Sequence, residues 1–316
     1  MKPELAKCAR IIVEKCAGTK GGEETLVLSD TSQNRDIYES LVHAAYSSGA
    51  DCSLLVFPTR SDLKSTLPKG VIAAMKYSDV VLIASVKPLP VQILEEVRKT
   101  GTRILSMAKL NEDAIIHSVP IDYDELQAEL KEFTAKFEKA DTVEVTSDEG
   151  TNVSMRIKGR KTTFVDGLIR QKGELDYIPA GVIGVSPLEG TSNGRLVIDG
   201  SVAGMGLLTE PIVAEIKNGR VAKFSGGKQA LALEKTLSVD ENGVNIAEIG
   251  IGMNPKARLI GGPEDERLRG SFHVGFGHSE HLGGAVRSKV HVDVIVSKPT
   301  LKLDGKPLIE RGKVLR

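Results

Sequence analysis

The chain has 316 residues, with 42 basic and 42 acidic side chains and therefore a net charge of zero. It is long enough for two domains with separate hydrophobic cores. Aromatic residues make up only 4% of the chain, and Trp is absent. Because nucleic-acid-binding proteins concentrate positive charge and often stack bases on aromatic rings, this composition argues against a nucleic-acid partner.

The cysteines and the start of the chain bear on its location. The three cysteines, Cys8, Cys16 and Cys52, show no spacing that is typical of a disulfide framework. The first residues lack the apolar segment of a signal peptide, and no apolar run approaches the length of a membrane span. We therefore expect a cytoplasmic protein without a membrane partner.

Strands and helices alternate up to about residue 140. The hydrophobic pattern predicts, in chain order, a helix over 4–16, a strand over 25–28, a helix over 35–47, strands over 52–57 and 80–84, a helix over 91–99, a strand over 102–106 and a helix over 123–139. The strand segments are almost continuously apolar, as in strands that are buried on both faces. This alternation predicts a parallel, doubly wound sheet.

The turns that follow these strands bear on nucleotide binding. None of them contains a G-x-G-x-x-G motif or a Walker-type phosphate loop. We therefore expect no dinucleotide or nucleoside triphosphate in this half, and we interpret it as a scaffold and interface domain.

From residue 142 onward the pattern changes. Alternating apolar and polar residues predict strands, for example over 143–146 and 153–157. Turn signals such as Asn193-Gly194 and Asn218-Gly219 separate them, as in β-hairpins. We predict the fold class α/β plus α+β, with an N-terminal doubly wound parallel-sheet domain over 1–140 and a C-terminal β-rich antiparallel domain over 141–316.

Polar residues within apolar strands of the last quarter predict a metal site. His291 and Asp293 lie in one predicted strand, where alternation points both side chains to the same face. Glu248 and His273 lie in two further apolar stretches, 246–251 and 272–276. Such polar groups are costly to bury unless they are paired or bind an ion. Imidazoles and carboxylates are ligands for transition metals, so we expect these four residues to converge on a divalent ion.

A simpler interpretation exists for each histidine taken alone, because a single histidine in a strand is more often a hydrogen-bonded residue than a metal ligand. His278 and His281 precede a Gly-Gly pair, which places them on a predicted loop. We expect His278 to be solvated. For His281, a ligand, a substrate-binding and a solvated role all stay open.

Several stretches of the second half carry a family likeness. They are PAG at 179–181, NGRLVIDG at 193–200, AEIGIGMNP at 247–255, GSFHVGFG at 270–277 and HVD at 291–293. With these stretches the chain resembles the metallo-aminopeptidases of the aminopeptidase T and S group. It is also similar to their fold relatives, the iron-dependent 2,5-dihydroxypyridine dioxygenases. The first half shows a weaker likeness.

The aminopeptidase resemblance implies that the metal ligands are Glu248, His273, His291 and Asp293, which hold one or two ions of zinc, cobalt or manganese. It also implies a homo-oligomer. A further family glutamate is expected directly after Pro179-Ala180-Gly181, but this chain has Val182 there, so a bridging carboxylate is missing. Glu189 is the nearest carboxylate that follows, and we expect it to act as the general base.

The dioxygenase resemblance implies a different ligand set. These relatives carry a histidine where this chain has Glu248, and no histidine at the position of His273. Two histidines and one carboxylate suit mononuclear iron(II). In this chain such a triad could be formed by His273, His291 and Asp293.

Three hypotheses follow from these residues. The first is a metal-dependent hydrolase, an aminopeptidase that cleaves N-terminal residues from small peptides with metal-activated water. The second is a mononuclear non-haem iron(II) dioxygenase that opens the ring of a small aromatic substrate. The third is a protein that binds a metal without catalysis. We rank the hydrolase first because the ligand types fit it best.

Overall fold

The structure, a computed structural model, describes residues 2–59 and 67–315. The chain forms two compact units: Met1–Tyr123 with Val165–Ala180, and Asp124–Phe164 with Gly181–Arg316. Most of the helix over 123–139 therefore lies in the second unit. The domain boundary near residue 140 stays a prediction.

Up to residue 106 the helices and strands of the first half alternate as predicted, with an unpredicted helix over 69–76; a second unpredicted helix over 112–118 directly precedes the one over 123–139. In chain order they are α1 (Pro3–Arg10), which continues as a π-helical segment (Ile11–Cys16), β1 (Glu24–Asp30), α2 (Arg35–Ser47), β2 (Asp51–Phe57), α3 (Lys69–Lys76), β3 (Val80–Ala84), α4 (Val91–Arg98), β4 (Arg103–Ser106), α5 (Glu112–Ser118) and α6 (Tyr123–Lys139). Among the residues that the structure describes, no helix has the length and apolar composition that crossing a membrane requires.

The second half consists mainly of strands. These are β5 (Thr142–Thr146), β6 (Asn152–Arg156), β7 (Thr163–Val165), β8 (Leu175–Tyr177), β9 (Val182–Val185), β10 (Asn193–Ile198), β11 (Ser201–Val202), β12 (Gly206–Leu207), β13 (Ile212–Lys217), β14 (Arg220–Ser225), β15 (Ile246–Gly252), β16 (Phe272–Gly277), β17 (His291–Val296), β18 (Thr300–Leu303), β19 (Lys306–Glu310) and β20 (Lys313–Val314). One α-helix, α7 (Lys228–Leu237), and two short 3-10 segments, Asp265–Arg267 and Glu280–Leu282, interrupt them.

The first unit contains a parallel sheet of five strands in the order β2-β1-β3-β4-β8. The central strand β3 is fully buried, as its continuous apolar run predicts. Strand β2 differs from the prediction, because its Leu54 and Val56 side chains are exposed. It is the edge strand and pairs with β1 on one side, whereas we expected it to be buried on both faces.

The second unit contains two sheets, both built largely from antiparallel pairs. One has eight strands in the order β14-β13-β10-β6-β5-β18-β19-β20, and the other has seven in the order β12-β11-β17-β16-β15-β9-β7. The rings of Phe224 and Phe276 bring the two sheets into contact, with their centroids 6.0 Å apart. The predicted fold class, a parallel-sheet α/β part followed by an antiparallel β-rich part, is confirmed.

Local turn chemistry explains one of the hairpins of this unit. Asn218 and Gly219 join β13 to β14 with φ angles of 51° and 76°. Two consecutive residues with positive φ match the twist of the flanking strands, and Asn-Gly adopts this conformation easily. The turn that was predicted from the Asn-Gly pair is therefore present.

Candidate metal centre

Three neighbouring strands carry the four predicted ligands. Strand β16 lies between β15 and β17, and Gly275 of β16 is paired with Glu248 on one side and with Asp293 on the other. His291 is paired with Gly277, and His273 with Ile295. Residues that are directly paired in an antiparallel sheet point to the same face. The register therefore places all four side chains on one face of the seven-stranded sheet.

Glu248 is the centre of the resulting cluster. Its Oε1 lies 3.2 Å from Nε2 of His273, and its Oε2 lies 3.2 Å from Nε2 of His291. Nε2 of His291 also lies 3.1 Å from Oδ1 of Asp293. His291 thus contacts the carboxylates of both Glu248 and Asp293. The described contact of His273 is with Oε1, the oxygen of Glu248 that His291 does not contact.

His281, whose role the sequence left open, joins this cluster. Its Nε2 lies 3.4 Å from Oε2 of Glu248, and its ring meets that of His291 edge-on at 4.7 Å between centroids. Donor atoms of Glu248, His281 and His291 all lie within 4.8 Å of one another. His278 stacks on the other side of His281, with the ring centroids 5.6 Å apart, and is about one-third exposed.

Glycines on the neighbouring strands leave room for these side chains. A Cβ atom at Gly275 would lie 2.8 Å from Cε1 of His291 and 2.9 Å from Cβ of Glu248. A Cβ atom at Gly250 would lie 2.3 Å from Cε1 of His273, and one at Gly184 would lie 2.6 Å from Oε1 of Glu248. Real Cβ atoms essentially never approach other atoms this closely, so a side chain at any of these positions would displace a residue of the cluster.

The cluster is electrostatically suited to a cation. Burial disfavours a charged Glu248, but the hydrogen bonds of His273, His281 and His291 outweigh it and hold the pKa of Glu248 well below its ordinary value. Burial also disfavours protonation of His291, but Asp293 and Glu248 outweigh it and raise the pKa of His291 to about 11. A pocket with two carboxylates therefore attracts positive charge strongly, and a metal ion would replace protons on the imidazoles.

A hydrogen bond to a backbone carbonyl group fixes the orientation of the His291 ring. Its Nδ1 lies 2.9 Å from the carbonyl oxygen of His278, so the Nδ1–H donates there and Nε2 points to the carboxylates, where a bound ion would take the place of the Nε2 proton. Imidazoles that bind metal ions usually have such a hydrogen bond at the other ring nitrogen. His273 differs, since its Nδ1 is buried without a hydrogen-bond partner among the described residues.

These side chains fit a transition-metal ion. Imidazole nitrogens and carboxylate oxygens are grouped around one point, Glu248, His291 and Asp293 belong to paired strands, and the Nδ1 hydrogen bond of His291 leaves its Nε2 for an ion. Residues in position to hold an ion are Glu248, His281, His291 and Asp293.

Two further positions from the sequence analysis lie in this unit. Val182 belongs to β9 and is paired with Gly252, so it points to the same face as Glu248 and is buried. That face therefore carries an apolar side chain where we expected a family glutamate. Glu189 has both carboxylate oxygens engaged, one by Arg160 and the other by the backbone N–H of Ala285 at 2.8 Å.

Of two further residues near the cluster, the sequence left the role of His281 open and did not single out Glu266. His281 lies on a loop, where no periodicity predicts the direction of a side chain; its only signal was proximity to other histidines. Glu266 lies in the 3-10 segment that packs on β15 and β17, and the sequence offered no signal for it. Burial raises the pKa of Glu266, Arg267 lowers it, and the nearby Asp293 raises it further.

The chain was compared with known proteins. The family model described as "NicX: 2,5-dihydroxypyridine 5,6-dioxygenase" matches residues 4–316. A 2,5-dihydroxypyridine 5,6-dioxygenase of Pseudomonas putida is 26% identical over 236 residues, which are 70% of this chain and 67% of that protein.

Solved structures agree on the fold. The 2,5-dihydroxypyridine dioxygenase from Pseudomonas putida KT2440 superposes with a TM-score of 0.84 at 20% identity, over 98% of this chain and 96% of that one. AmpT from Thermus thermophilus superposes with a TM-score of 0.73 at 17% identity, over 99% of both chains. At these identities the likeness demonstrates a shared fold.

These findings correct our first hypothesis. The expected membership of the aminopeptidase T and S family, with its hydrolase and protease activity, is wrong, because the family model over almost the whole chain is that of the dioxygenases. The general-base role of Glu189 belonged to that hydrolase hypothesis. The kinship with aminopeptidase T is one of fold. The chain belongs to the 2,5-dihydroxypyridine 5,6-dioxygenase family.

Proposed function

We propose that this protein is a mononuclear iron(II) dioxygenase that opens the ring of a dihydroxypyridine or a closely related small aromatic substrate. One observation carries the proposal: two imidazoles and one carboxylate, from His281, His291 and Glu248, are grouped within 4.8 Å in a member of a dioxygenase family. Two histidines and one carboxylate that leave positions open are the ligand set of non-haem iron(II) oxygenases.

The ligands proposed for this chain are Glu248, His281 and His291, with Asp293 beside them. The dioxygenases that this chain resembles carry a histidine at the position of Glu248. In this assignment His281 supplies the second imidazole instead of that histidine. His273 approaches Oε1, the oxygen of Glu248 that faces away from His281 and His291. Its role would be to orient Glu248, which differs from the direct ligation that we expected from the sequence.

The apolar side chain of Val182 supports a single ion. A second divalent ion in such a site requires a bridging carboxylate, and the buried Val182 lies on the face of the sheet where that carboxylate was expected. A mononuclear centre suits oxygen chemistry, whereas hydrolases with two metals rely on both ions.

The bound ion and the residues of the site would each have a separate role. Bound iron(II) would supply the redox chemistry that lets molecular oxygen react with an electron-rich, hydroxylated ring. Glu248 and Asp293 balance the positive charge of the ion. The carbonyl oxygen of His278 keeps His291 in the required tautomer. The buried floor of strands β15, β16 and β17 limits the access of water to one side of the site.

Oxygen consumption tests the proposal. Metal-free protein is loaded with iron(II) under anaerobic conditions, and oxygen uptake is then followed with 2,5-dihydroxypyridine and with catechol. We expect uptake that depends on both iron and substrate, together with loss of the ring's ultraviolet absorption. Protein loaded with zinc and the His291→Ala variant serve as controls, and both should consume no oxygen.

Other outcomes separate the remaining hypotheses. Stoichiometric iron binding with no substrate-dependent oxygen uptake would favour a protein that binds metal without catalysis. Absence of metal binding would refute every metal-dependent proposal. Assembly into a homo-oligomer and a cytoplasmic location stay predictions, which light scattering and cell fractionation would check.

A further inference from the structure

We propose that Arg160 and Glu189 are positioning residues that hold the loop over residues 278–286, the histidine loop, and thereby keep His281 at the metal centre. This inference rests on the proposed function, because it takes His281 to be a ligand. Neither residue touches the cluster in the described contacts.

The two residues form a clamp across the histidine loop. Arg160 and Glu189 are joined by an ion pair, and the arginine side chain is only 15% exposed. Nη1 of Arg160 donates to the carbonyl oxygen of Gly283 at 2.7 Å, and Oε1 of Glu189 accepts from the backbone N–H of Ala285 at 2.8 Å. Each partner of the pair therefore also binds one backbone group of the loop. Hydrogen bonds with a charged partner are stronger than those between neutral groups.

The loop behind the clamp is closed on itself. The N–H groups of Leu282 and Gly284 both donate to the carbonyl of Ser279, and the N–H of Ser279 donates to the carbonyl of Val286. A Cβ atom at Gly284 would lie 2.2 Å from Oγ of Ser279, so the chain turns tightly at that point. Because these hydrogen bonds join the two ends of the loop, holding residues 283 and 285 in place also restrains the other residues of the loop.

His281 is the member that needs this support. Glu248 and His291 are held by paired strands on a sheet, whereas His281 lies in a short 3-10 segment, and its side chain is 43% exposed. The next residue, Leu282, is buried, and the clamp engages residue 283 directly after it. The direction of the His281 ring therefore depends on the position of the loop more than on its own packing.

Cobalt(II) titration tests the inference without relying on activity. Metal-free wild type, Arg160→Gln and Glu189→Ala are titrated with cobalt(II), and binding is followed by the visible absorption of the ion. We expect the two variants to bind about 10- to 100-fold more weakly, the usual effect of losing a residue that orients a ligand. Glu189→Gln keeps an acceptor for the N–H of Ala285 and should fall between wild type and Glu189→Ala.

The matched control is Glu129→Gln. Glu129 forms a two-pronged ion pair with Arg269 in the same unit, with bonds of 2.7 and 2.8 Å. Neutralising this carboxylate should leave cobalt affinity unchanged. Thermal unfolding of each variant confirms that the protein is folded before titration.

A double-mutant cycle distinguishes positioning from a general structural role. If Arg160 acts through His281, Arg160→Gln should not weaken cobalt binding further when it is added to His281→Ala. Additive losses in the double variant would overturn the inference, as would wild-type affinity in both clamp variants. In either case the proposed function would stand, provided that the wild type binds cobalt and shows iron-dependent oxygen uptake. A wild type that binds no cobalt and no iron would overturn both.

Discussion

Glu248 contacts three imidazoles, so its two oxygens organise the centre more than any other residue does. His291 is the second key residue, because it touches both carboxylates and is fixed from behind by the carbonyl of His278. Loss of either side chain would leave the opposite charges of the pocket without their partners, as well as removing a donor.

Replacing His291 tests the centre at the residue scale. We expect His291→Ala to lower the affinity for iron(II) by more than about 100-fold, since a direct ligand contributes more than an outer partner. Anaerobic equilibrium dialysis with metal analysis measures this. His43→Ala, which removes an exposed histidine from α2, should bind like wild type. Equal affinity in the two variants would exclude His291 as a ligand.

The sequence predicted the site residues that lie in strands. Alternation placed His291 and Asp293 on one face, and apolar surroundings singled out Glu248 and His273. The sequence could not predict that Nε2 of His273 contacts Oε1 of Glu248 while Nε2 of His291 contacts Oε2. That choice depends on rotamers and on the register of the strands. Nor could the sequence assign His281, since a loop has no periodicity from which a direction can be derived.

At the scale of elements, the backbone of β16 decides whether the centre can form. Gly275 is paired with the strands on both sides, opposite Glu248 and opposite Asp293. Any side chain there would occupy the space of the His291 ring. The arrangement of the proposed ligands therefore depends on a residue that has no functional group.

Gly275→Ala tests this dependence. We expect metal affinity to fall at least about 10-fold and stability to fall by about 1–3 kcal/mol, because the added methyl group forces His291 or β15 to move. Cobalt titration and urea unfolding measure the two effects. Gly70→Ala is the matched control, since a Cβ atom at Gly70 meets nothing within 4 Å. Normal metal binding by Gly275→Ala would show that the ring can be placed elsewhere.

Local signals predicted the elements better than their places in the sheets. The Asn218-Gly219 pair predicts its hairpin because the turn is set by two residues. Strand β2 was predicted as a strand, but its apolar run does not reveal that, among the strands that the structure describes, it pairs with β1 alone. Strand β8 joins β4 from more than sixty residues further along the chain, and such distant pairing leaves no local pattern.

At the scale of the whole molecule, two neighbouring acids, the buried Asp166 and the half-buried Asp176, should make stability depend on pH. Burial, and then the hydrogen bond and charge of Asp166, raise the pKa of Asp176 well above its ordinary value. Folded protein therefore holds a proton that unfolded protein releases above about pH 4. The stabilisation is complete below that pH and is lost as the pH rises through the raised pKa, by up to about 1.4 kcal/mol for each pH unit.

Urea unfolding from about pH 5 to about pH 9 measures this slope. Asp176→Asn should flatten it, because the amide does not titrate and still offers an oxygen to the N–H groups of Asp166 and Gly167. Asp148→Asn, at a carboxylate that is 75% exposed, should keep the slope of the wild type. An identical slope in Asp176→Asn would assign the pH dependence to other groups.

The glycines at 184, 250 and 275 have a consequence for how such a fold changes its chemistry. Because these positions carry no side chain, the space that Glu248, His273 and His291 occupy is left by the backbone of the neighbouring strands, and one side chain of the cluster could be exchanged for another without rebuilding those strands. A lineage could then drift from one metal to another through single replacements, for example at Glu248 or Val182, while its architecture persists.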